Sequence, residues 1–328
     1  MTRDSWNAAR FDGGRRGHYE SWFLRANHPT EPRAFWIRYT IFAPKGRPAD
    51  AVGELWAIAF DAERGRIVAA KEVVPVTDCE FSPRGLGARV GPARLGETSL
   101  GGEARSDAGS LAWQLDFRGG HDPLLLLPQR LYSAPLPKAK ALVPRPFARF
   151  AGQLTVDDET WTIDDWVGSQ NHNWGSKHTD HYAWGQVAGF DDDPSVFLEC
   201  ATARLKLGPL WTPPLSPIVV RLGEEELRLD TIRQSLRASG DLDGLTWRLE
   251  SERDDLRIAV EISAPREHFV GLRYDNPPGG FKTCLNCKVA RCRLTITRGG
   301  ETREHVTQHR AAFEILTDEP DPAIPVVA

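Results

Sequence analysis

A chain of 328 residues is long enough for two domains of common size, each with its own core. With 41% apolar and 26% charged residues and a net charge of −4, it describes a folded protein without the basic excess of a nucleic-acid binder. No stretch reaches the roughly 20 apolar residues that span a bilayer, and Met1–Gly17 is Arg-rich with no apolar signal-peptide core, so the expectation is a cytoplasmic protein without stable membrane insertion.

Strand-like runs follow one another along the chain: Phe35–Phe42, Leu55–Phe60, Ser110–Phe117, Val196–Thr202, Leu256–Ile262 and Ala290–Thr297. Several alternate apolar and polar side chains, the period of a half-buried strand. Turn signals divide them: Arg64-Gly65, Gly119-Gly120, Asp191–Pro194 and Gly299-Gly300. Glu224–Leu236 reads equally as a helix or as two strands and a turn. Many short strands with few helical periods predict an all-β fold, a sandwich or barrel.

From Leu124 to Phe150 the character changes. Four leucines, Leu124–Leu127, precede Pro128, Pro135, Pro137, Pro144 and Pro146, with Lys138 and Lys140 between. Proline cannot donate to a sheet ladder, so residues 137–150 read as a surface connector between an N-terminal β-domain, 1–136, and a C-terminal one, 151–328. The two parts echo each other. His18-Tyr19 and Trp22 are followed by Ala26 and Phe35, and His181-Tyr182 and Trp184 by Ala188 and Phe197, with the same Trp-to-Ala and Trp-to-Phe spacings. Leu111-Ala-Trp113-Gln-Leu115 likewise matches Leu245-Thr-Trp247-Arg-Leu249. Two β-units with one strand schedule, or chance among common strand residues, would both give this pattern.

The five cysteines, Cys79, Cys200, Cys284, Cys287 and Cys292, are too few and too scattered for a disulfide framework. Cys284 and Cys287 resemble half of a zinc site, but no second pair is suitably placed, and buried thiols are the simpler reading. Pro209–Pro214 reads as a stiff apolar loop, a lid or a core connection, and Glu224–Glu226 as a solvated face.

Functional side chains are densest between Trp161 and Trp184, which hold four Trp, three His, three Asp and two Asn. Gly168–Thr179 reads as a polar loop and Tyr182–Phe190 as a strand. His172, His178, Asp180 and His181 invite a metal reading, but their spacing matches no recognised site, and no metal is assigned. The alternatives are a structural role for these polar groups and a ligand site in which Trp faces meet an apolar molecule while His or Asp moves protons.

Here the chain resembles the tocopherol cyclase and carotenoid 1,2-hydratase (hydroxyneurosporene synthase) superfamily. Asn173-Trp174-Gly175 followed by His181–Gln186 is similar to its signature. Phe11-Asp-Gly13, Tyr19–Phe23, Pro137–Lys140 and Asn286 agree. The resemblance implies two consecutive lipocalin-like barrels or sandwiches and a hydrophobic, often isoprenoid, small-molecule ligand in a cavity near their interface. It also implies a site built from a His-x-Trp pair, matched by His172-Asn-Trp174, and a Tyr-x-Asp pair, for which Phe197-x-Glu199 stands here and departs at both positions.

Such a site supports cofactor-free, acid-initiated hydration, cyclisation or isomerisation, or, as the rival reading, carriage of a hydrophobic ligand without chemistry. A carboxylic acid kept protonated by burial protonates an alkene, and indole faces stabilise the cation. The candidate acids are Asp165, Glu199 and Asp180, with His172 orienting the acid or taking up a proton. Trp22, Trp166, Asn173, Trp174, His181, Tyr182, Trp184, Gln186, Phe197 and Tyr274 are the candidate ligand contacts.

Overall fold

The computed structural model describes residues 2–327. After a short helix, α1 (Arg3–Asn7), the chain forms β1 (His18–Asn27), β2 (Arg33–Ala43), β3 (Val52–Asp61), β4 (Arg66–Pro75), β5 (Cys79–Phe81), β6 (Ala88–Val90), β7 (Ala93–Leu95), β8 (Ser99–Ser106), β9 (Gly109–Gly119), β10 (Leu124–Leu125), β11 (Ala139–Val156) and β12 (Glu159–Gly175). These make one antiparallel sheet in the order β4-β3-β2-β1-β12-β11-β9-β8-β7-β6-β5, with β10 beside β11. The sheet curls until β4 and β8 meet, where Ser106 Oγ donates to the Ala69 carbonyl at 2.9 Å. A nearly closed barrel results.

A second sheet follows: β13 (His181–Ala188), β14 (Val196–Arg204), the small ribbon β15 (Lys206–Leu207) and β16 (Leu210–Trp211), then β17 (Ile218–Leu222), β18 (Glu225–Leu229), helix α2 (Ile232–Arg237), β19 (Ser239–Asp243), β20 (Thr246–Arg253), β21 (Leu256–Ser263), β22 (Val270–Asp275), β23 (Phe281–Arg298) and β24 (Glu301–Thr317). Its order is β18-β17-β14-β13-β24-β23-β21-β20-β19, with β22 beside β23, and the ribbon stands apart. The residues from Glu224 onward therefore give both a strand and a helix. The helix is started by a capping box of Thr231 and Gln234.

Both sheets share one connectivity. The first strand lies centrally, the next three step outward on one flank, and the last strand closes on the other. Trp22 and Trp184 sit on the equivalent strands β1 and β13, and Phe35 and Phe197 on β2 and β14. The second sequence match does not follow this equivalence: Trp113 lies on β9, whose counterpart is β21, whereas Trp247 lies on β20.

The expected connector at 137–150 is instead the start of β11, paired with both β9 and β12. The first unit thus runs to Gly175 and the second starts at His181. Proline is tolerated because Pro144 and Pro146 fall at two register shifts of the β11–β12 ladder, where a missing N–H costs little. Likewise the expected loop at 168–179 is strand as far as Gly175, and only residues 176–180 join the sheets.

The strands where the barrels meet are buried on both faces. On β1, Trp22, Leu24 and Ala26 point into the first barrel, while Phe23 joins the core of the second. On β3, Leu55, Ala57 and Ala59 point inward and Trp56, Ile58 and Phe60 outward to the partner barrel. On β13, Ala183 and Val187 fill the second barrel, so Tyr182, Trp184 and Gln186 face the first. The layer between the barrels is therefore made of every second residue of β1, β2, β3, β12, β13, β14, β23 and β24.

Candidate functional site

In that layer lies a cavity of about 210 Å³. Its wall is formed by Tyr19 and Phe23 of β1, Asn171 and Asn173 of β12, Tyr182 and Trp184 of β13, Glu199, Ala201 and Ala203 of β14, and Glu314 of β24. The start of β11, with Pro137, Ala139, Lys140 and Ala141, contributes a side, and Leu205, Leu215 and Pro217 another. A strap between β9 and β11 supplies Leu126 and Leu127. The second barrel holds this strap by its backbone. Arg221 donates to the Asp122 carbonyl at 2.6 Å and Arg228 to the Leu125 carbonyl at 2.6 Å.

Glu199 is the carboxyl most deeply committed to this wall. It interrupts an apolar run, Val196–Cys200, and strand alternation turns it away from Leu198 and Cys200, which fill the second barrel. Its Oε1 accepts from Trp184 Nε1 at 2.8 Å and its Oε2 from Gln186 Nε2 at 2.8 Å. Burial pushes the Glu199 carboxyl up to about 7, the donors and Arg25 opposing and Glu314 reinforcing. The group is thus a carboxylic acid for part of the time at neutral pH.

Gln186 lies beneath the wall and holds Glu199 in place. Besides Glu199, its Nε2 donates to Asn171 Oδ1 at 2.9 Å, and its Oε1 accepts from Arg25 Nε at 2.8 Å and Ser169 Oγ at 2.6 Å. Glu314, on the other flank of β13, accepts from Lys288 Nζ at 2.8 Å, Asn286 Nδ2 at 3.2 Å and the Tyr182 hydroxyl at 3.2 Å. Burial pushes the Tyr182 phenol well up, with Cys284 and Glu314 adding to it, so it is a donor throughout the physiological range. Asn173 Oδ1 is buried without a hydrogen-bond partner. Gly175, which ends the Asn-Trp-Gly triplet, has its Cα against the Tyr19 ring and the Lys138 carbonyl. A Cβ there would stand 2.3 Å from the Lys138 carbonyl and 2.9 Å from the Tyr19 ring, so this close approach of β12 to β11 needs glycine.

The other expected site residues lie elsewhere. Asp165 sits on the outer face of the first barrel at a left-handed residue (φ 53°), its side chain 45% exposed and paired with Arg149 and Arg118. Its position in the bulge of β12 turns it to solvent. Asp180 binds Lys177 at 2.5 Å and the Lys206 backbone N–H at 2.9 Å, and so ties the inter-sheet junction. Trp22 and Trp166 belong to the core of the first barrel. Trp174 packs with Trp6, Tyr132 and Leu142 under the Arg10 guanidinium, 3.6 Å above its ring. Phe197 fills a small apolar cluster against Phe147. His181 is at the surface, paired with Asp318 and packed on Trp211. Tyr274 stacks with His178, which in turn stacks on Tyr19 at 3.9 Å. Pro209–Pro214 forms the exposed ribbon tip and does not border the cavity.

His172 borders the cavity through its strand, but its ring is on the barrel side, stacked on Trp22 at 4.8 Å. Nε2 lies 2.9 Å from Glu20 Oε1 and Nδ1 2.7 Å from the Trp6 carbonyl. Both nitrogens are engaged inside the first barrel, and burial pulls the imidazole below the ordinary histidine value, Glu20 opposing. His172 is a positioning group for the N-terminal segment. Burial alone would raise Glu20, but hydrogen bonds from His172 and His18 outweigh it and hold the carboxylate at about 2. The Arg10 and Phe11 backbone N–H groups also reach it, at 2.9 and 3.1 Å.

Sequence reasoning passed over Glu20, Arg25, Glu314 and Lys288. Their common signal is a charged residue inside an otherwise apolar strand, the same signal that marks Glu199. Among the described residues, no group of three or more His, Cys, Asp or Glu is arranged to hold a metal ion.

No family model matches the chain. Two curated Mycobacterium tuberculosis proteins, MT0513 of strain CDC 1551 / Oshkosh and Rv0493c of strain H37Rv, both described as uncharacterized, are each 26% identical over 284 residues, 84% of this chain and 80% of theirs. Among solved structures, a candidate AttH from Nitrosomonas europaea aligns with TM-score 0.58 at 10% identity, over 97% of this chain and 99% of its own. Kievitone hydratase from Nectria haematococca aligns with TM-score 0.57 at 13% identity, over 97% and 96%. CghA aligns with TM-score 0.54 at 12% identity, over 93% and 90%. At these identities the likeness is one of fold, the lipocalin-like double barrel.

Proposed function

We propose that the cavity between the barrels binds a compact, unsaturated, apolar molecule and that Glu199 protonates it, starting a cofactor-free hydration, cyclisation or isomerisation. The observation that carries this reading is the placement of Glu199: a buried carboxyl at the wall of an apolar cavity, with both oxygens on neutral donors and an indole beside it. Glu199 gives its proton to one alkene carbon, the C=C pair forms the new C–H bond, and the neighbouring carbon is left cationic. The faces of Trp184, Tyr182 and Phe23 stabilise that cation. Water, an internal hydroxyl or a second alkene then supplies the electron pair. A hydratase among the solved neighbours agrees with this chemistry.

Size favours a compact substrate. The 210 Å³ cavity exceeds the roughly 150 Å³ that holds a benzene ring but falls short of the roughly 300 Å³ at which drug-sized pockets start. A carotenoid- or tocopherol-length molecule would seat only its reacting end.

The test uses 2,3-dihydropyran, a small cyclic enol ether whose hydration begins with slow protonation of carbon by a general acid. Wild-type protein accelerates it, and Glu199→Gln lowers that rate by about 100-fold while still quenching indole fluorescence on binding. Equal rates for the two proteins, with binding retained in both, would leave a carrier as the reading.

A further inference from the structure

We propose that Glu314, which faces the same cavity from the other flank of Trp184, is the general base of the site, so that the reaction ends as it begins, with a proton transfer, and rearranges its substrate without adding water. This rests on the reading of Glu199 as the acid.

The register of three strands places the two groups. β13 lies between β14 and β24. Gln186 of β13 pairs with Glu199, and Trp184 of β13 pairs with Glu314. All four residues therefore share one face of the sheet, the cavity face. Two strand spacings across and two residues along separate the carboxyl-bearing backbones, about 12 Å, and the indole of Trp184 lies between them. Its Nε1 is committed to Glu199.

The surroundings of the two carboxyls differ in kind. The side-chain donors on Glu199 are neutral, an indole and an amide. Glu314 is built to carry charge: Lys288, whose side chain is wholly buried, puts its ammonium 2.8 Å from Oε1. That ammonium also donates to Asn286 Oδ1 at 2.5 Å, and Asn286 returns a hydrogen bond to Glu314 at 3.2 Å. Arg38, with 4% exposure, adds a second buried cation over Tyr274. A buried ammonium needs a counter-charge, and the carboxylate supplies it. Two carboxyls in one cavity, one held by neutral donors and the other by a buried cation, are the pattern of an acid and a base.

The steps balance. Glu199 gives its proton to an alkene carbon and becomes a carboxylate. The cation passes to the neighbouring carbon, or through a new C–C bond if a second alkene attacks. A C–H bond beside the final cation breaks, its electron pair becomes the new C=C bond, and the proton goes to Glu314. The product is an isomer of the substrate, open or cyclic. Transfer of one proton from Glu314 back to Glu199 through solvent restores the site.

Two probes separate the roles. 5-Nitrobenzisoxazole opens when a base removes its ring C–H proton, and 2,3-dihydropyran reads the acid. The ratio of the first rate to the second, measured on the full chain at mildly acidic pH, is expected to fall by about 100-fold in Glu314→Gln and to rise in Glu199→Gln. Because Glu314→Gln leaves Lys288 unpaired, the double variant Glu314→Gln/Lys288→Met is run beside it, with near-ultraviolet circular dichroism to verify the fold. A wild type that hydrates dihydropyran yet opens nitrobenzisoxazole no faster than the Glu314 variants overturns the base and leaves the acid standing. A wild type inert towards dihydropyran overturns the reading of Glu199 instead.

Discussion

The amide of Gln186 meets the carboxyl of Glu199 at 2.8 Å across neighbouring strands, and its other three hydrogen-bonding positions are all filled from the first barrel. An amide offers two donors and two acceptor positions, and here none is spare. The same side chain thus fixes the acid and fastens one barrel to the other. Replacing it by leucine strands Arg25, Asn171 and Ser169 without their partner. We expect Gln186→Leu to cost about 3 kcal/mol or more, since each buried group left unsatisfied costs roughly 1–3 kcal/mol. Urea unfolding followed by tryptophan fluorescence checks it; a loss under about 1 kcal/mol would contradict the role of the hub.

Stability should depend on pH through Glu199, with a defined sign. Burial raises its carboxyl to about 7 in the folded protein, against 4.5 when unfolded. Between those values the folded state binds the extra proton, so stability falls as pH rises through the window. A shift of this size corresponds to about 3 kcal/mol. Glu199→Gln removes the titrating group, and the difference in unfolding free energy between wild type and variant should grow in the variant's favour from pH 4.5 to 7. A difference that stays flat across this range would refute the assignment.

The buried pair of Lys288 and Glu314 makes a third prediction. Removing one partner leaves a charge in a dry layer, which costs about 3–5 kcal/mol, whereas removing both charges is far milder. Lys288→Met alone should destabilise by that amount, and Lys288→Met/Glu314→Gln should recover most of it. A double-mutant cycle by chemical denaturation measures the coupling.

Asp165 is expected to be inert. Its ion pairs with Arg149 and Arg118 are solvent-exposed, and such pairs contribute about 0–1 kcal/mol. Asparagine also tolerates the left-handed backbone there. Asp165→Asn should therefore change stability by less than about 1 kcal/mol and leave the dihydropyran rate unaltered, both measured as above.

The architecture is legible in the chain wherever a strand has one wet face, and obscure where both faces are dry. Leu256–Ile262 alternates in sequence and in burial, so its period shows. β1 and β13 bury both faces, and the polar groups that satisfy the layer between the barrels interrupt their pattern. The polar run Ser169–Asn173 looked like a loop for that reason. The Asn171 amide and the Ser169 hydroxyl are paired across the interface with Gln186, which no single strand reveals. Pro144 and Pro146 misled in the same way, because proline at a bulge and proline in a connector read alike. Among the carboxyls, Glu199 stands out as a charge within an apolar strand, and Glu314 between Phe313 and Ile315 carries the same mark. Asp165 has no such mark: it sits in the bulge where Asp164 and Asp165 oppose the single Ala151 of β11, and that bulge, which leaves no residue signature here, decides which way it points.

The junction between the sheets is only five residues, 176–180, and it is pinned at its middle and at its end. His178 is clamped between Tyr19 and Tyr274, and Asp180 is anchored to Lys177 and to the Lys206 backbone. A joint so short and so tied leaves little slack between the two barrels. On the far side of the cavity the leucine-bearing strap ahead of β11 is fastened three ways, by the pairing of β10 with β11, by the burial of Leu124 and Leu126, and by arginine grips on its carbonyls.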